Sequence, residues 1–186
     1  MHGLTPEQFE EGLLGEFGSG MNSRYGAVIV EGGLWQAALD LAFHPDPRAA
    51  FRASWALEWA YFHHKDEFTP YIPAFLDNFC RADNGSVHRH YAKILFDMMK
   101  RGIVTLDEER GQQVAEKSFD LLIDPGTKVA VKVWAMEILL LLSVRLAWVE
   151  ESLADVVRQQ LAGEHSAGMA NRGRKILKRL SKRERP

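Results

Sequence analysis

Apolar residues recur along this chain at intervals of three and four positions, which is the period of one face of an α-helix. In residues 34–43, for example, Leu34, Ala38 and Leu41 fall on one side of a helix. The strict alternation of apolar and polar residues that marks a half-buried strand is missing from the sequence. The pattern therefore predicts an all-α chain.

Ten predicted helices pair into five hairpins, because segments rich in Gly, Pro, Asp and Asn interrupt the helical pattern. The predicted helices span residues 5–17, 23–30, 34–43, 49–64, 68–79, 87–100, 106–123, 129–144, 150–161 and 167–180. A single hairpin leaves apolar surface in water, so successive hairpins are expected to stack. We expect one domain over residues 1–186, with a degenerate cap at 1–31 and repeats at about 33–64, 68–101, 106–148 and 149–182.

Three segments carry the signals of helix ends. Thr5-Pro6-Glu7-Gln8 has the form of a capping box, with Thr5 as the N-cap and proline at the first helical position. Asp46-Pro47 and Asp124-Pro125 predict tight bends. Proline cannot extend the first helix of a pair, but it fits the first turn of the second.

A four-residue pattern returns along the chain with a period near forty. Trp55-Ala56-Leu57-Glu58 comes back as Trp134-Ala135-Met136-Glu137, with a weaker copy at Tyr91-Ala92-Lys93-Ile94 and a basic one at Arg174-Lys175-Ile176-Leu177. The first residues of successive copies are 36, 43 and 40 positions apart. This period is typical of paired-helix repeats that stack into a solenoid.

The turns between paired helices resemble those of HEAT repeats. Asp46-Pro47 with Arg52, and Asp124-Pro125 with Lys132, match an Asp-Pro turn followed by a basic residue early in the second helix. Asp83 with Arg89 matches adequately, whereas the last pair departs from the pattern, with Glu164-His165 in its turn. The resemblance covers residues 34–180. It implies a right-handed α-α superhelix (a HEAT-like solenoid) whose second helices line a concave face for a protein or peptide partner.

A narrower resemblance is to a group of uncharacterised bacterial HEAT-like proteins, some of which carry the label adenylosuccinate lyase. It rests on residues 52–58, 128–137 and 171–177. The label does not carry over, because the chain is far shorter than such lyases and lacks their Ser-Ser-x-Met-Pro-x-Lys-x-Asn loop. Fold alone does not imply an activity. The resemblance therefore favours a binding scaffold over an enzyme.

Repeated polar and aromatic residues are the candidates for the binding face. The charges of Asp46, Asp83 and Asp124 with Arg52, Arg89 and Lys132 form either a functional row or, as is more common, a structural ladder between turns. Large aromatic residues at helical spacing are usually core, but they also anchor interfaces. The residues expected on the concave face are Arg52, Trp55, Glu58, Trp59, Arg89, Lys132 and Glu137, and we refer to them as the concave-face set.

Glu58 and Glu137 occupy the same position of the repeat, and Glu137 lies in the apolar segment from Val133 to Leu142. A carboxylate in such a place needs a cation or several hydrogen-bond donors, or else its pKa rises. The structural interpretation is a bond between helices, with a Trp indole or a backbone amide as the donor. The functional interpretation is an acidic feature of the groove, and a deep pocket holding both carboxylates would favour an enzyme.

The histidines do not form a metal-binding pattern. His63 and His64 are adjacent, and His88 and His90 are two apart, whereas two ligands on one helix face are three or four residues apart. The sequence also lacks a Gly-rich phosphate loop, zinc-ligand spacing and a nucleophile elbow. We therefore expect no enzymatic activity, no cofactor and no metal.

Charge is distributed unevenly along the chain. Residues 171–186 carry eight Lys/Arg and one Glu, whereas residues 1–170 carry 15 basic and 24 acidic groups. The basic tail contains Arg172, Arg174, Lys175, Lys178 and Arg179. Oppositely charged ends allow salt-sensitive self-association, or docking of the tail on an acidic partner or membrane surface. Such charged segments are more often simply solvated.

Nucleic acid is the alternative partner. HEAT-like folds include DNA glycosylases, which use aromatic residues and a carboxylate in a basic groove. The residues of those types are Trp55, Trp59, Trp134, Glu58 and Glu137. The acidic balance of residues 1–170 disfavours this alternative, because a duplex needs cations along the whole groove.

The sequence predicts a cytoplasmic protein without a membrane span. Cys80 is the single cysteine, which excludes an intrachain disulfide and suits a reducing compartment. The N-terminal residues lack the basic and apolar regions of a signal peptide. The most apolar window, Val133 to Val149, contains Glu137 and Arg145 and is short for a bilayer.

Overall fold

Every regular element is helical in the part of the chain that the computed structural model describes, which comprises residues 4–15, 18–163 and 166–183. The all-α prediction is confirmed. The helices are α1 (Pro6–Gly15), α2 (Met21–Gly32), α3 (Trp35–Asp40), α4 (Pro47–His63), α5 (Lys65–Phe68), α6 (Ile72–Arg81), α7 (Gly85–Arg101), α8 (Glu108–Ile123), α9 (Val129–Leu142), α10 (Ala147–Ala162) and α11 (Ala167–Arg183). Two 3-10 segments, Leu41–Phe43 and Thr69–Tyr71, follow α3 and α5.

Side-chain caps mark the N-terminal ends of α1 and α4, and the sequence predicted the one at Thr5. Thr5 Oγ1 accepts the backbone N–H of Gln8 at 3.3 Å, and Gln8 Oε1 accepts the N–H of Thr5 at 2.9 Å, so the capping box is confirmed. Asp46 accepts the N–H of Arg48 at 2.8 Å, and Pro47 is the first residue of α4. Phe17 of the first predicted helix, Glu164 and His165 of the last predicted turn, and residues 184–186 lie outside the described residues.

The proline of the second Asp-Pro turn does not lie in the first turn of the next helix, although that helix begins at Val129, as predicted. Asp124 ends α8, and its carboxylate accepts the N–H of Gly126 at 3.0 Å and the hydroxyl of Thr127 at 2.8 Å. The aspartate therefore stabilises a turn of the Asx type instead of capping the following helix.

The helix predicted over residues 68–79 is divided in the structure. Pro70 lies in a 3-10 segment, and Pro73 lies in the first turn of α6. A proline lacks the N–H that a helix interior requires, so the chain begins a new helical segment at each of these positions. The pieces still bury Phe68 and Phe75, which form an edge-on pair with ring centroids 5.6 Å apart.

The helices form two groups, Met1–Ile94 and Leu95–Pro186, and the division falls inside α7. In the first group α4 packs against α1, α2 and α3. Helices α2 and α4 approach closely at Gly26, where an added Cβ would overlap the indole of Trp59 and lie 3.1 Å from the carbonyl oxygen of Ala56. Glycine therefore lets the Trp59 ring lie directly on α2.

The second group contains the hairpins α8–α9 and α10–α11. Helices α9 and α11 are direct neighbours, and α10 packs against both. The two second helices thus lie side by side, which is the arrangement expected for stacked hairpins. Gly173 brings α11 close to α10, since a Cβ there would lie 3.1 to 3.2 Å from methyl groups of Leu161 and Val157.

Candidate functional site

In the first group, Glu58 of α4 lies at the centre of a polar cluster with two residues of α7. Its Oε2 is 2.7 Å from His90 Nδ1, and its Oε1 accepts a hydrogen bond from Lys93 Nζ at 2.5 Å. The side chain of Glu58 is 15% exposed and that of His90 is 5% exposed. The cluster therefore joins two second helices through a largely buried carboxylate.

The partners of Glu58 keep it ionised. Burial raises the pKa of its carboxyl, but the hydrogen bonds from His90 and Lys93 and the charges of these side chains lower that pKa by more. The pKa of Glu58 is therefore below its usual value. A carboxylate held in this way is a fixed anion in the packing of α4 on α7, and it is poorly suited to donate a proton at neutral pH.

Aromatic rings surround this polar cluster. Trp55 stacks on Phe51 with ring centroids 5.7 Å apart, and on His90 with centroids 6.5 Å apart. Trp59 stacks on His63 at 3.9 Å. Both tryptophans are half-buried. They pack within the first group while part of each side chain stays in contact with solvent, so neither the core interpretation nor the interface interpretation describes them fully.

Arg52 has a structural environment. It is 9% exposed, and its Nη1 donates hydrogen bonds to the carbonyl oxygens of Leu13 at 2.5 Å and Leu14 at 3.1 Å. Both carbonyls lie in the last described turn of α1, and carbonyls at this end of a helix commonly take partners from outside it. The guanidinium therefore ties α4 to the C-terminal end of α1, where a cation also complements the helix dipole.

In the second group, Glu137 of α9 is the counterpart of Glu58. Its side chain is 4% exposed and forms ion pairs with two arginines of α11: Oε1 with Arg172 Nη1, and Oε2 with Arg179 Nη1 at 3.3 Å. The sequence analysis required a cation, several donors or a raised pKa for a carboxylate here, and the structure places two cations beside it. The expected donors, a Trp indole or a backbone amide, were wrong.

The sequence of α11 explains why its cations gather on one side. Met169, Gly173, Ile176 and Leu180 recur at intervals of three and four residues, and all four are buried. They form the apolar face of an amphipathic helix. The same helix carries seven Lys/Arg and no Asp/Glu. Burial of the apolar face therefore leaves the cations on the other side.

A cleft of about 270 Å³ lies over Glu137, and we refer to it as the α11 cleft. Its lining residues are Glu137, Arg172, Lys175, Lys178, Arg179 and Lys182. Four of the cations, Arg172, Lys175, Lys178 and Lys182, follow one another at intervals of three or four residues along α11. Arg179 lies four residues after Lys175 and three before Lys182, so all five share one face. The ammonium groups of Lys175, Lys178 and Lys182 form no ion pair with any residue in the described ranges.

Two sets of candidates that the sequence treated separately meet in this cleft. Glu137 comes from the concave-face set, and four of the five basic-tail residues line the cleft with it. The fifth, Arg174, is exposed and does not line it. Lys182 was not among the candidates. The sequence did contain a signal for the pair of Glu137 and Arg172, because the two residues are 35 positions apart. Glu58 and Lys93 have the same separation.

The remaining candidates do not join either cluster. Lys132 is 8% exposed and donates to Gln160 Oε1 at 3.2 Å. The N–H of Gly126, the hydroxyl of Thr127 and, to a smaller extent, the charge of Lys132 lower the pKa of Asp124. Arg89 is exposed.

Asp46 has a local partner. Arg48 Nη2 donates to its Oδ2 at 2.7 Å, and the hydrogen bonds from the Arg48 side chain and N–H lower the pKa of Asp46 to about 2. The aspartates and basic residues at the turns therefore have different partners from one repeat to the next, and the uniform ladder that the sequence indicated is not seen among the described contacts.

A larger concavity of about 480 Å³ lies in the second group, where α7 ends, α8 begins and α9 ends. Its lining is mainly apolar and includes Leu106, Leu142 and Leu146. Arg145 also lines it and donates to the carbonyl oxygen of Leu106 at 2.8 Å. The residues singled out from the sequence lie elsewhere.

Two general features bear on the chemistry of the described ranges. Within them, no group of three or more His, Cys, Asp or Glu side chains is placed to hold a metal ion. None of the described helices combines the length and apolar character required to cross a membrane.

The structure thus defines an all-helical protein with a cationic cleft on its last helix. No family model matches the chain, and no curated protein matches it. A solved structure described as an engineered protein matches 95% of this chain and 81% of its own length, with a TM-score of 0.55 and 15% sequence identity. At that identity the likeness concerns the helical fold alone.

Proposed function

We propose that this chain is a non-enzymatic, HEAT-like binding protein that presents its second helices to an acidic protein or peptide partner. The observation that carries the proposal is the α11 cleft, where five cations share one helix face and three of them have no described carboxylate partner. A concave surface lined by one sign of charge attracts ligands of the opposite sign. An acidic peptide segment has the chemistry that fits it.

The environments of the two candidate carboxylates support a role in binding over catalysis. Glu58 is paired with His90 and Lys93, and Glu137 with Arg172 and Arg179. Each carboxylate joins neighbouring helices and is neutralised there. Glu137 forms the floor of the α11 cleft, whose lining residues all belong to the second group. A cytoplasmic setting is part of the proposal.

Binding of a fluorescein-labelled polyglutamate peptide, followed by anisotropy at low salt, tests the proposal. We expect Lys178→Glu/Lys182→Glu to weaken binding about tenfold, or about 1.4 kcal/mol, because two attractive charges become repulsive. Raising the salt weakens binding to the wild type, since the Debye length falls to about 8 Å at physiological ionic strength.

The matched control is Lys100→Glu/Lys128→Glu. This variant makes the same change in net charge at two exposed lysines that do not line the cleft. At physiological ionic strength we expect its affinity for the peptide to stay within about twofold of the wild type, because exposed charges farther away than the Debye length of about 8 Å are then largely screened. Equal losses in the two variants would show that net charge alone drives binding, and the proposal would fail.

Nucleic acid is the second candidate partner, and the cationic face of α11 is the observation that favours it. Basic helix faces neutralise phosphates, and such binding weakens steeply with salt. A labelled oligonucleotide in the same anisotropy experiment separates the two partners. Binding of the oligonucleotide at least as tight as that of the peptide, and lost in Lys178→Glu/Lys182→Glu, would replace the peptide by a nucleic acid in the proposal.

A further inference from the structure

We infer that the α11 cleft recognises a phosphate monoester on its peptide partner, in preference to a carboxylate side chain. The inference rests on the proposed function and names the group that the cleft selects. Its first basis is the charge of the site. Five cations and one carboxylate line the cleft, which leaves four positive charges in excess. A phosphorylated side chain brings a charge of about −1.5 to −2 at neutral pH, whereas Asp or Glu brings a single negative charge.

The second basis is the way Glu137 holds two arginines at the floor of the cleft. Arg172 and Arg179 are seven residues apart on α11, and each binds a different oxygen of the same carboxylate. A guanidinium has five N–H donors, so each arginine keeps donors beyond those that face Glu137. The side chains are 39% and 62% exposed. Their remaining donors are therefore accessible to an incoming oxyanion.

The third basis is the combination of arginines with lysines. The planar fork of an arginine matches the oxygens of a phosphate, and a lysine acts on it as a mobile point charge. In the cleft, Lys175 and Lys178 lie between the two arginines in sequence, and Lys182 lies one turn beyond them. The cleft volume of about 270 Å³ compares with roughly 30 Å³ for a water molecule in the liquid. A phosphate group therefore has room among the five cations.

The cationic surface is too short for an extended polyanion. Residues 95–170, the rest of the second group before the basic tail, carry eight Lys/Arg and twelve Asp/Glu. The first and last cations of the cleft, Arg172 and Lys182, are ten residue steps apart on one helix, or about 15 Å. A row of phosphodiesters would need cations beyond that length. One compact, doubly charged group matches the site better.

The test uses three labelled peptides that differ only at a central position, which is phosphoserine, aspartate or serine in the same acidic flanks. With the full chain at about pH 7.5, we expect the phosphoserine peptide to bind about tenfold more tightly than the aspartate peptide. The advantage should shrink at about pH 5, because the second pKa of the phosphate is about 6. The aspartate peptide should change little over this range, since its carboxyl has a pKa of about 3.9.

Two variants locate the effect. Lys178→Glu should remove the preference for phosphoserine, whereas Arg174→Glu should retain it, because Arg174 lies on the same helix but outside the cleft. Equal affinity for the phosphoserine and aspartate peptides would overturn the phosphate inference and leave the proposed function standing. Failure of all three peptides to bind would overturn both. A phosphoserine preference that survives Lys178→Glu would show that the group binds elsewhere, and it too would overturn the inference.

Discussion

The carboxylates of Glu58 and Glu137 each bind a cation 35 residues further along the chain, on the second helix that follows. The two clusters differ in composition, with a histidine and a lysine around Glu58 and two arginines around Glu137. They share a physical requirement, because a carboxylate between packed helices is stable only where cations or donors compensate its lost hydration. At the scale of single residues, both copies of the repeat therefore share a contact between a carboxylate and a cation, in addition to a sequence pattern.

The Glu58 cluster predicts a definite pH dependence of stability. Because the pKa of Glu58 is lowered in the folded protein, its contribution is present above the pKa of the unfolded chain, about 4.3. That contribution is lost as the pH falls through the lower pKa of the folded protein. We expect Glu58→Gln to lower the free energy of unfolding by about 1–2 kcal/mol at neutral pH. The difference from wild type should fade below about pH 4.

Urea denaturation of the two proteins between about pH 7 and about pH 3 measures this difference. Glu67→Gln is a suitable control, because Glu67 is an exposed carboxylate whose contact with His64 is at the surface. A difference between wild type and Glu58→Gln that stays constant across the pH range would contradict the account.

At this scale the sequence predicted that Glu137 needs a cation or a hydrogen-bond donor, but it did not identify which residue supplies it. The position of Glu137 in an apolar segment showed that a cation or donor had to be near. Which side chain of a neighbouring helix reaches it depends on the lateral offset of α9 and α11, and periodicity within one helix does not report that offset. Arg172 and Arg179 were visible only as members of a basic tail for the same reason.

At the scale of elements, the packing of the helices depends on a few places where two backbones come close. Helices α2 and α4 meet at Gly26, and α10 and α11 meet at Gly173. The helical period predicted the buried side of residues 34–43, and the cap at Thr5 predicted where α1 begins. Helix α4 begins at Pro47, two residues before its predicted start. Pro70 and Pro73 divided a predicted helix, because neither proline can donate the N–H that a helix interior requires.

Gly26→Ala tests the close contact between α2 and α4. The added methyl group overlaps the indole of Trp59 and lies 3.1 Å from the backbone carbonyl oxygen of Ala56, which cannot move without shifting α4. We expect a loss of about 1–2 kcal/mol in the free energy of unfolding, after allowing for the better helix propensity of alanine. Urea denaturation measures it. Gly15→Ala, where a Cβ meets nothing within 4 Å, should show no loss, and similar losses at both sites would contradict the packing.

At the scale of the whole molecule, a small net charge of −2 hides a concentration of cations on the last helix. The sequence alone predicted the all-α fold, the hairpins and the basic tail, because each depends on local composition and period. The cleft depends on tertiary contact, since α9 provides its floor and α11 its cations. The helical fold could therefore be predicted from the sequence, whereas the cleft could not.

An NMR titration of the isotope-labelled full chain with the phosphoserine peptide tests the central claim most directly. If the peptide binds in the α11 cleft, the largest chemical-shift changes will map to α11 and to the residues of α9 around Glu137. Lys178→Glu/Lys182→Glu will suppress these changes. Changes centred instead on Trp55 and Glu58, or on the apolar concavity near Leu106, would contradict the assignment of the binding face to the α11 cleft.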